Sequence, residues 1–264
     1  MGEQMSAFVS VVAFTHQGKV RKQNEDTIAI AQWIRNRPML RPEVSQHSLE
    51  HPFVGMVADG MGGHAAGEVA SQFVIDRLTD AAPAFVSEER ISAQIRDANK
   101  ALFDLMASQS STTGMGTTVA GLAITSENVF IFNVGDSRVY REQYGYLKQL
   151  TVDDSGGGRT SYGEESEVKT GLLSQALGGA SQFIEIRPHV REEELLDNQR
   201  YLVCSDGLSD MVDIDTLEEC LADSDVESIK NLFGKALEGG GRDNISILII
   251  RTHLRDKKDI ALAD

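Results

Sequence analysis

Residues Phe53 to Ser71 read FVGMVADGMGGHAAGEVAS, an apolar run that stops at Asp59-Gly60, crosses a glycine-rich turn and resumes as a new apolar pattern. In that pattern Ala66, Val69, Ala70, Phe73, Val74 and Leu78 recur three or four residues apart, which predicts a helix over Ala65 to Leu78 with one buried face. A strand that ends on an acid fixes a carboxylate on a rigid sheet, and the adjoining glycine lets backbone approach a ligand closely. Gly60 to Gly67 lacks the Gly-Lys-Ser/Thr ending of a P-loop, which disfavours an NTPase. The turn therefore reads as an anion-binding helix N-terminus or as a plain helix entry.

The arrangement is not isolated. VADG at Asp59, NVGDS at Asp136 and CSDG at Asp206 each set an acid after an apolar run, and Asp243-Asn244 lies just before the last apolar strand. Glu25-Asp26 precedes the second strand. Any one Asp-Gly is most simply a turn, but the joint occurrence suggests carboxylates converging on one cleft. Such a cluster repels itself and raises its own pKa values unless cations neutralise it. An all-oxygen donor set suits magnesium or manganese, whereas the scattered histidines make zinc a poor fit. Two such ions about 4 Å apart orient a bridging water and hold a phosphoryl group, so the pattern points to phosphoester hydrolysis.

The 264 residues suffice for one large domain, and 41% hydrophobic with 25% charged residues is a globular composition. A formal net charge of -15 argues against nucleic-acid binding and against anionic membranes. No apolar run reaches membrane-spanning length and no signal peptide is evident, so a cytoplasmic location is expected. Two cysteines, Cys204 and Cys220, cannot form a disulfide framework. Cys204, inside an apolar strand, reads as a core residue.

Strands are expected at Phe8 to Phe14, Thr27 to Trp33, Phe53 to Ala58, Thr117 to Ile124, Val129 to Val134, Val139 to Tyr140, Tyr201 to Cys204 and Ile245 to Ile250. Helices are expected from Glu88 to Ala107 and from Val226 to Leu237 as well. Arg35 to Pro52 reads as a surface loop, Thr151 to Thr170 as a mobile surface segment, and the chain from Arg255 as a frayed tail. Residues 1–254 then form one α+β domain with a short flap-like segment at 150–175, followed by a tail at 255–264.

Taken in order, RKQNED (Arg21 to Asp26), DGMGGHAAGEVAS (Asp59 to Ser71), GMGTT (Gly114 to Thr118), NVGDSR (Asn133 to Arg138), LTVDDS (Leu150 to Ser155), ALGG (Ala176 to Gly179), LVCSDGLSDMV (Leu202 to Val212) and GGRDNISILI (Gly240 to Ile249) cover nearly the whole chain. In these segments the sequence resembles the type-2C metal-dependent serine/threonine protein phosphatases, bacterial branch. The resemblance implies a four-layer α-β-β-α sandwich, two antiparallel sheets flanked by helices, with metals at one end. It implies that Asp59 bridges two Mn2+ or Mg2+ ions, that Asp206 and Asp243 complete the first, and that Glu25 and the Gly60 carbonyl complete the second. Asp26 would hold metal-associated water, Asp136 with Asp206 would form a third, weaker site, and Arg21 would grip the substrate phosphate. The implied activity is direct hydrolysis of phosphoserine and phosphothreonine by a metal-activated water, in a monomer that reverses a cognate Ser/Thr kinase.

The sequence departs from the family in three places. Met61 stands where many eukaryotic members have a histidine that protonates the leaving group, and methionine donates no proton. Asp154 stands where many bacterial members have histidine, and the segment after it is short and glycine-rich for the family's flap. The Arg35 to Pro52 loop is longer than usual. His64 is either a helix-start residue or a substrate contact. Two rivals to this reading are a phosphatase of small phosphoesters and a binding module that keeps the fold without activity.

Overall fold

The computed structural model describes residues 5–62, 66–109, 112–159 and 165–256. Two six-stranded antiparallel sheets lie face to face. The first runs in the order β11 (Tyr146–Gln149), β10 (Arg138–Gln143), β16 (Arg200–Cys204), β17 (Ile245–Asp256), β1 (Met5–His16) and β4 (Glu43–Ser48). The second runs β15 (His189–Glu194), β9 (Asn128–Val134), β8 (Val119–Ile124), β5 (Phe53–Ala58), β2 (Thr27–Ile30) and β3 (Trp33–Arg35). A small sheet, β14 (Leu177–Gly178), β7 (Gly116–Thr117) and β6 (Gly60–Met61), and a hairpin, β12 (Ser155–Arg159) with β13 (Glu165–Leu173), complete the strands. The α+β sandwich implied by the sequence is the observed architecture.

Alternation along each strand explains the layering. On β5, Val54, Met56 and Ala58 join a core with α1 (Ala66–Asp80) and α2 (Glu88–Ser108), while Phe53 and Val57 join the core between the sheets. Each fully buried Leu, Ile or Val there contributes about 1.5–3 kcal/mol relative to exposure. At Gly55 an added Cβ would lie 2.6 Å from Cδ1 of Ile250 on β17, so any larger residue there must displace that side chain between the sheets. The outer face of the first sheet carries α3 (Asp206–Ser209), α4 (Ile214–Cys220) and α5 (Asp225–Glu238), whose Leu208, Leu217, Ile229, Leu232 and Ala236 are buried. Ser87 caps α2 by accepting from the Arg90 amide, and Glu88 and Glu89 sit favourably at the positive end of its dipole. Among the described residues, no helix is long and apolar enough to cross a membrane.

Four expectations change. Thr27 to Trp33 is not one strand: Ala31, at φ 50°, turns the chain back so that β2 pairs with β3. Arg35 to Pro52 is not all loop, because β4 pairs with β1 from Phe8↔Ser48 to Ala13↔Glu43 as an edge strand whose residues are mostly exposed. Thr151 to Thr170 contains β12 and the start of β13, with residues 160–164 outside the described set. The last strand also runs past Ile250 to Asp256, and residues 257–264 of the expected tail lie outside the described set.

Candidate metal centre

Chain reversals at one end of the two sheets bring the acids together. Glu25 precedes β2 and Asp59 follows β5 on the second sheet, whereas Asp206 follows β16 and Asp243 precedes β17 on the first. Asp136 lies in the turn from β9 to β10, which passes from one sheet to the other. Five half-buried carboxylates, Glu25, Asp59, Asp136, Asp206 and Asp243, line one cleft of about 570 Å3 together with Arg21, Gly60 and Met61.

Close backbone packing fixes the acids. Thr118 N–H and Thr117 Oγ1 donate to the Asp59 carbonyl at 2.9 and 2.8 Å, and the Asp59 amide donates to Thr118 Oγ1 at 3.1 Å. The Gly60 amide and Ser71 Oγ donate to the Glu25 carbonyl at 3.2 and 2.6 Å, docking the start of α1 on the Glu25 loop. A Cβ on Gly60 would lie 2.2 Å from the Gly67 carbonyl oxygen and 2.6 Å from that of Glu25. Only glycine fits the Asp59-Gly60 corner.

Asp26 is fully buried behind the cleft rather than lining it. Its Oδ2 accepts from Ser205 Oγ at 2.8 Å and from Ser246 Oγ at 2.7 Å, while its buried Oδ1 has no partner among the described residues. Burial, with Asp206 and Asp243 nearby and the two serine hydroxyls opposing, lifts its carboxyl to about 7. Asp136 is raised to about 6, first by burial and then by Asp206. Burial also raises Glu25, Asp59 and Asp206, and the like charge of Asp243 adds to it in all three. Asp243 instead accepts from Arg21 at 2.7 Å.

The five carboxylates offer hard oxygen donors, burial holds Glu25, Asp59, Asp136 and Asp206 above their ordinary range, and among the described residues Asp206 Oδ1 is buried without a partner. Among the described residues no three His, Cys, Asp or Glu side chains already form a closed ligand set. Arg21 engages an Asp243 carboxylate oxygen that a divalent ion could use. The residues fit Mn2+ or Mg2+ chemically.

Sequence reasoning brought Arg21, Glu25, Asp59, Gly60, Asp136, Asp206 and Asp243 to one cleft, and the structure places all of them there. It missed the residues that stitch the acids together. Asn244 Oδ1 accepts from the Glu25 amide at 2.7 Å, and its Nδ2 donates to the Gln17 and Gln23 carbonyls at 3.1 and 2.9 Å. Ser205, Ser246 and Thr118 act similarly, and their signal was a small polar residue beside or within an apolar strand. His64 lies outside the described residues. Cys204 is buried, with its thiol pushed up to about 12 mainly by burial, as suits a core residue.

Residues 44–233 match the family model for protein phosphatase 2C, and the chain belongs to that family. Among its relatives is the serine/threonine protein phosphatase PstP of Mycobacterium tuberculosis, 37% identical over 204 residues. That match takes in 73% of this chain but 39% of the length of PstP. The serine/threonine phosphatase stp of Listeria welshimeri is 32% identical over 259 residues, covering 92% of this chain and 96% of the relative. The crystal structure of the catalytic domain of PstP, in complex with two manganese ions, superposes with a TM-score of 0.75 at 31% identity, over 94% of this chain and 99% of that one.

Proposed function

We propose that this chain is a metal-dependent protein phosphatase acting on phosphoserine and phosphothreonine. The observation that carries the reading is the convergence of five carboxylates and Arg21 on one cleft at the seam of the sheets. Asp59, Asp206 and Asp243 would hold one Mn2+ or Mg2+ ion, and Glu25, the Gly60 carbonyl and Asp59 would hold another. Asp136 beside Asp206 offers a place for a third. When bound, the ions supply an activated water and neutralise charge on the phosphoryl oxygens.

The chain's own residues do the rest. Arg21 is half-exposed at the rim and presents a planar guanidinium to non-bridging phosphate oxygens. Asp26, locked by Ser205 and Ser246, provides a fixed acceptor directly behind the acids. Met61 lines the cleft without a proton to give, so the leaving alkoxide takes its proton from another source. Phosphoproteins are the substrates, with a cognate Ser/Thr kinase as the opposing enzyme, and a cytoplasmic monomer is the working form.

Hydrolysis of a phosphothreonine peptide with and without Mn2+ or Mg2+, in wild type and Asp206→Asn, tests the reading. Metal-dependent turnover lost in the variant supports it. A folded wild type that turns over no phosphopeptide at any metal concentration overturns it, and sugar and nucleotide phosphates run alongside identify the small-phosphoester alternative.

A further inference from the structure

Asp154 lies at the foot of the β12–β13 hairpin, and its contacts reach three separate segments. Oδ2 accepts from the Gly135 amide and from Gln175 Nε2, both at 2.9 Å. Oδ1 is 2.9 Å from Nε2 of His189 on β15. The Asp154 amide donates to the Gly135 carbonyl at 2.9 Å, and the Asp154 carbonyl accepts from the Ser174 amide at 2.6 Å and from Ser174 Oγ at 2.9 Å. The side chain is only 11% exposed. Asp154 and Ser174 directly flank the hairpin, whose first pair is Ser155↔Leu173.

Both ends of this knot bear on the cleft. Gly135 immediately precedes Asp136, and its φ of 103° and a Cβ clash of 2.6 Å with Thr118 leave that turn no alternative residue. Ser174 and Gln175 form part of the opposite wall of the cleft, and Gln175 also ties to the backbone of Arg187. A carboxylate suits this position because it is acceptor-only and can serve the Gly135, Gln175 and His189 donors at once. A neutral imidazole has a single acceptor nitrogen.

We propose that Asp154 is a positioning residue, which fixes both ends of the flap hairpin against the turn carrying Asp136 and so sets the distance between the substrate-facing wall and the metal-ready carboxylates. The inference rests on the phosphatase reading for its effect on turnover, but its structural content does not. Removing the carboxylate frees the wall from the Asp136 turn, weakening the grip on a phosphopeptide and opening the two segments to solvent.

The test compares Asp154→Ala, Asp154→Asn and Glu193→Gln. Glu193, also on β15, pairs with Arg141 at 2.7 Å and with Arg191 away from the cleft, and reports ordinary loss of stability. In Asp154→Ala the KM for a phosphothreonine peptide should rise about tenfold, and amide exchange over residues 132–137 and 174–176 should quicken by about the same factor, as befits the loss of charge-assisted hydrogen bonds. Asp154→Asn should recover most of both, because its Oδ1 accepts from Gly135 and Gln175 while its Nδ2 donates to the alternative His189 tautomer. Glu193→Gln should lower the melting temperature and leave KM and local exchange as in wild type. Unchanged exchange in Asp154→Ala, or a KM rise in Glu193→Gln equal to that of Asp154→Ala, overturns the proposal. If Asp154→Ala does not fold, Gln175→Met removes one arm of the knot and is read in the same way. A wild type inactive on every phosphopeptide would count against the phosphatase reading alone, since the exchange comparison still decides the role of Asp154.

Discussion

Arg21 donates to Asp243 Oδ2 at 2.7 Å, joining a loop before β2 to one before β17 across the mouth of the cleft. The contact makes one guanidinium serve two interests. It holds a carboxylate assigned above to the proposed metal centre, and on the proposed reading it also meets the phosphate of a substrate.

Arg21→Ala should therefore separate the two. The KM for a phosphothreonine peptide is expected to rise roughly ten- to a hundredfold, following the roughly 1.5–3 kcal/mol of a hydrogen bond to a charged group. The Mn2+ concentration needed for half-maximal activity should fall, because Asp243 is released. A metal requirement that rises with the KM would show that Arg21 organises the ligands instead.

Asp206→Asn should abolish turnover yet stabilise the chelator-treated protein. Asp206 is packed among Asp59, Asp243 and Asp136, and one of its oxygens is buried without a partner. Removing a buried like charge relieves repulsion, so the melting temperature without metal should increase by about 2–4 °C for each kcal/mol gained. Calorimetry in EDTA decides it; a lower melting temperature would contradict the repulsion argument.

The metal-free protein should lose stability as pH rises from 5 to 8. Asp26 and Asp136 are lifted to about 7 and about 6 from an ordinary 3.8, so the folded state holds their protons more tightly than the unfolded chain does. Their stabilising contribution is complete below the ordinary value and is lost as pH passes through 6 and 7. Saturating Mn2+ should cancel or reverse the slope, because the ions favour the deprotonated carboxylates. Thermal melts at several pH values, with and without chelator, provide the check.

Gly60→Ala should damage both stability and activity. Its new methyl would meet the Gly67 carbonyl oxygen at 2.2 Å, which is backbone and cannot swing aside. A cost of roughly 3 kcal/mol, at the upper end for overpacking, is expected in urea unfolding. Gly234→Ala, whose added methyl meets nothing within 4 Å and whose φ is not positive, is the clash-free control.

The acids were legible in the sequence because each interrupts an apolar run at a strand end, as Asp59 ends β5 and Asp206 follows β16. Any one of these acids alone would have read as a turn, and it was their recurrence at Asp59, Asp136 and Asp206 that pointed to a shared cleft. β4 was illegible for the opposite reason: Glu43 to Ser48 has polar residues on both faces, and its strand character comes from pairing with β1. The β2–β3 turn was hidden because Ala31 adopts a positive φ without glycine or asparagine to announce it. Asn244 and Asp154 act through partners far away in the chain, and no local pattern records such contacts.

The cleft draws Glu25 and Asp59 from one sheet and Asp206 and Asp243 from the other, with Asp26 bolted to Ser205 and Ser246 across the same seam. A cation bound there is a rivet between the halves of the sandwich, and its affinity becomes part of what holds the halves in register. Slippage of the inter-sheet core, even around Gly55 and Ile250 far from any ligand, would then be felt first as a weakened hold on metal. Conversely, depletion of the ion would loosen the whole laminate rather than one loop.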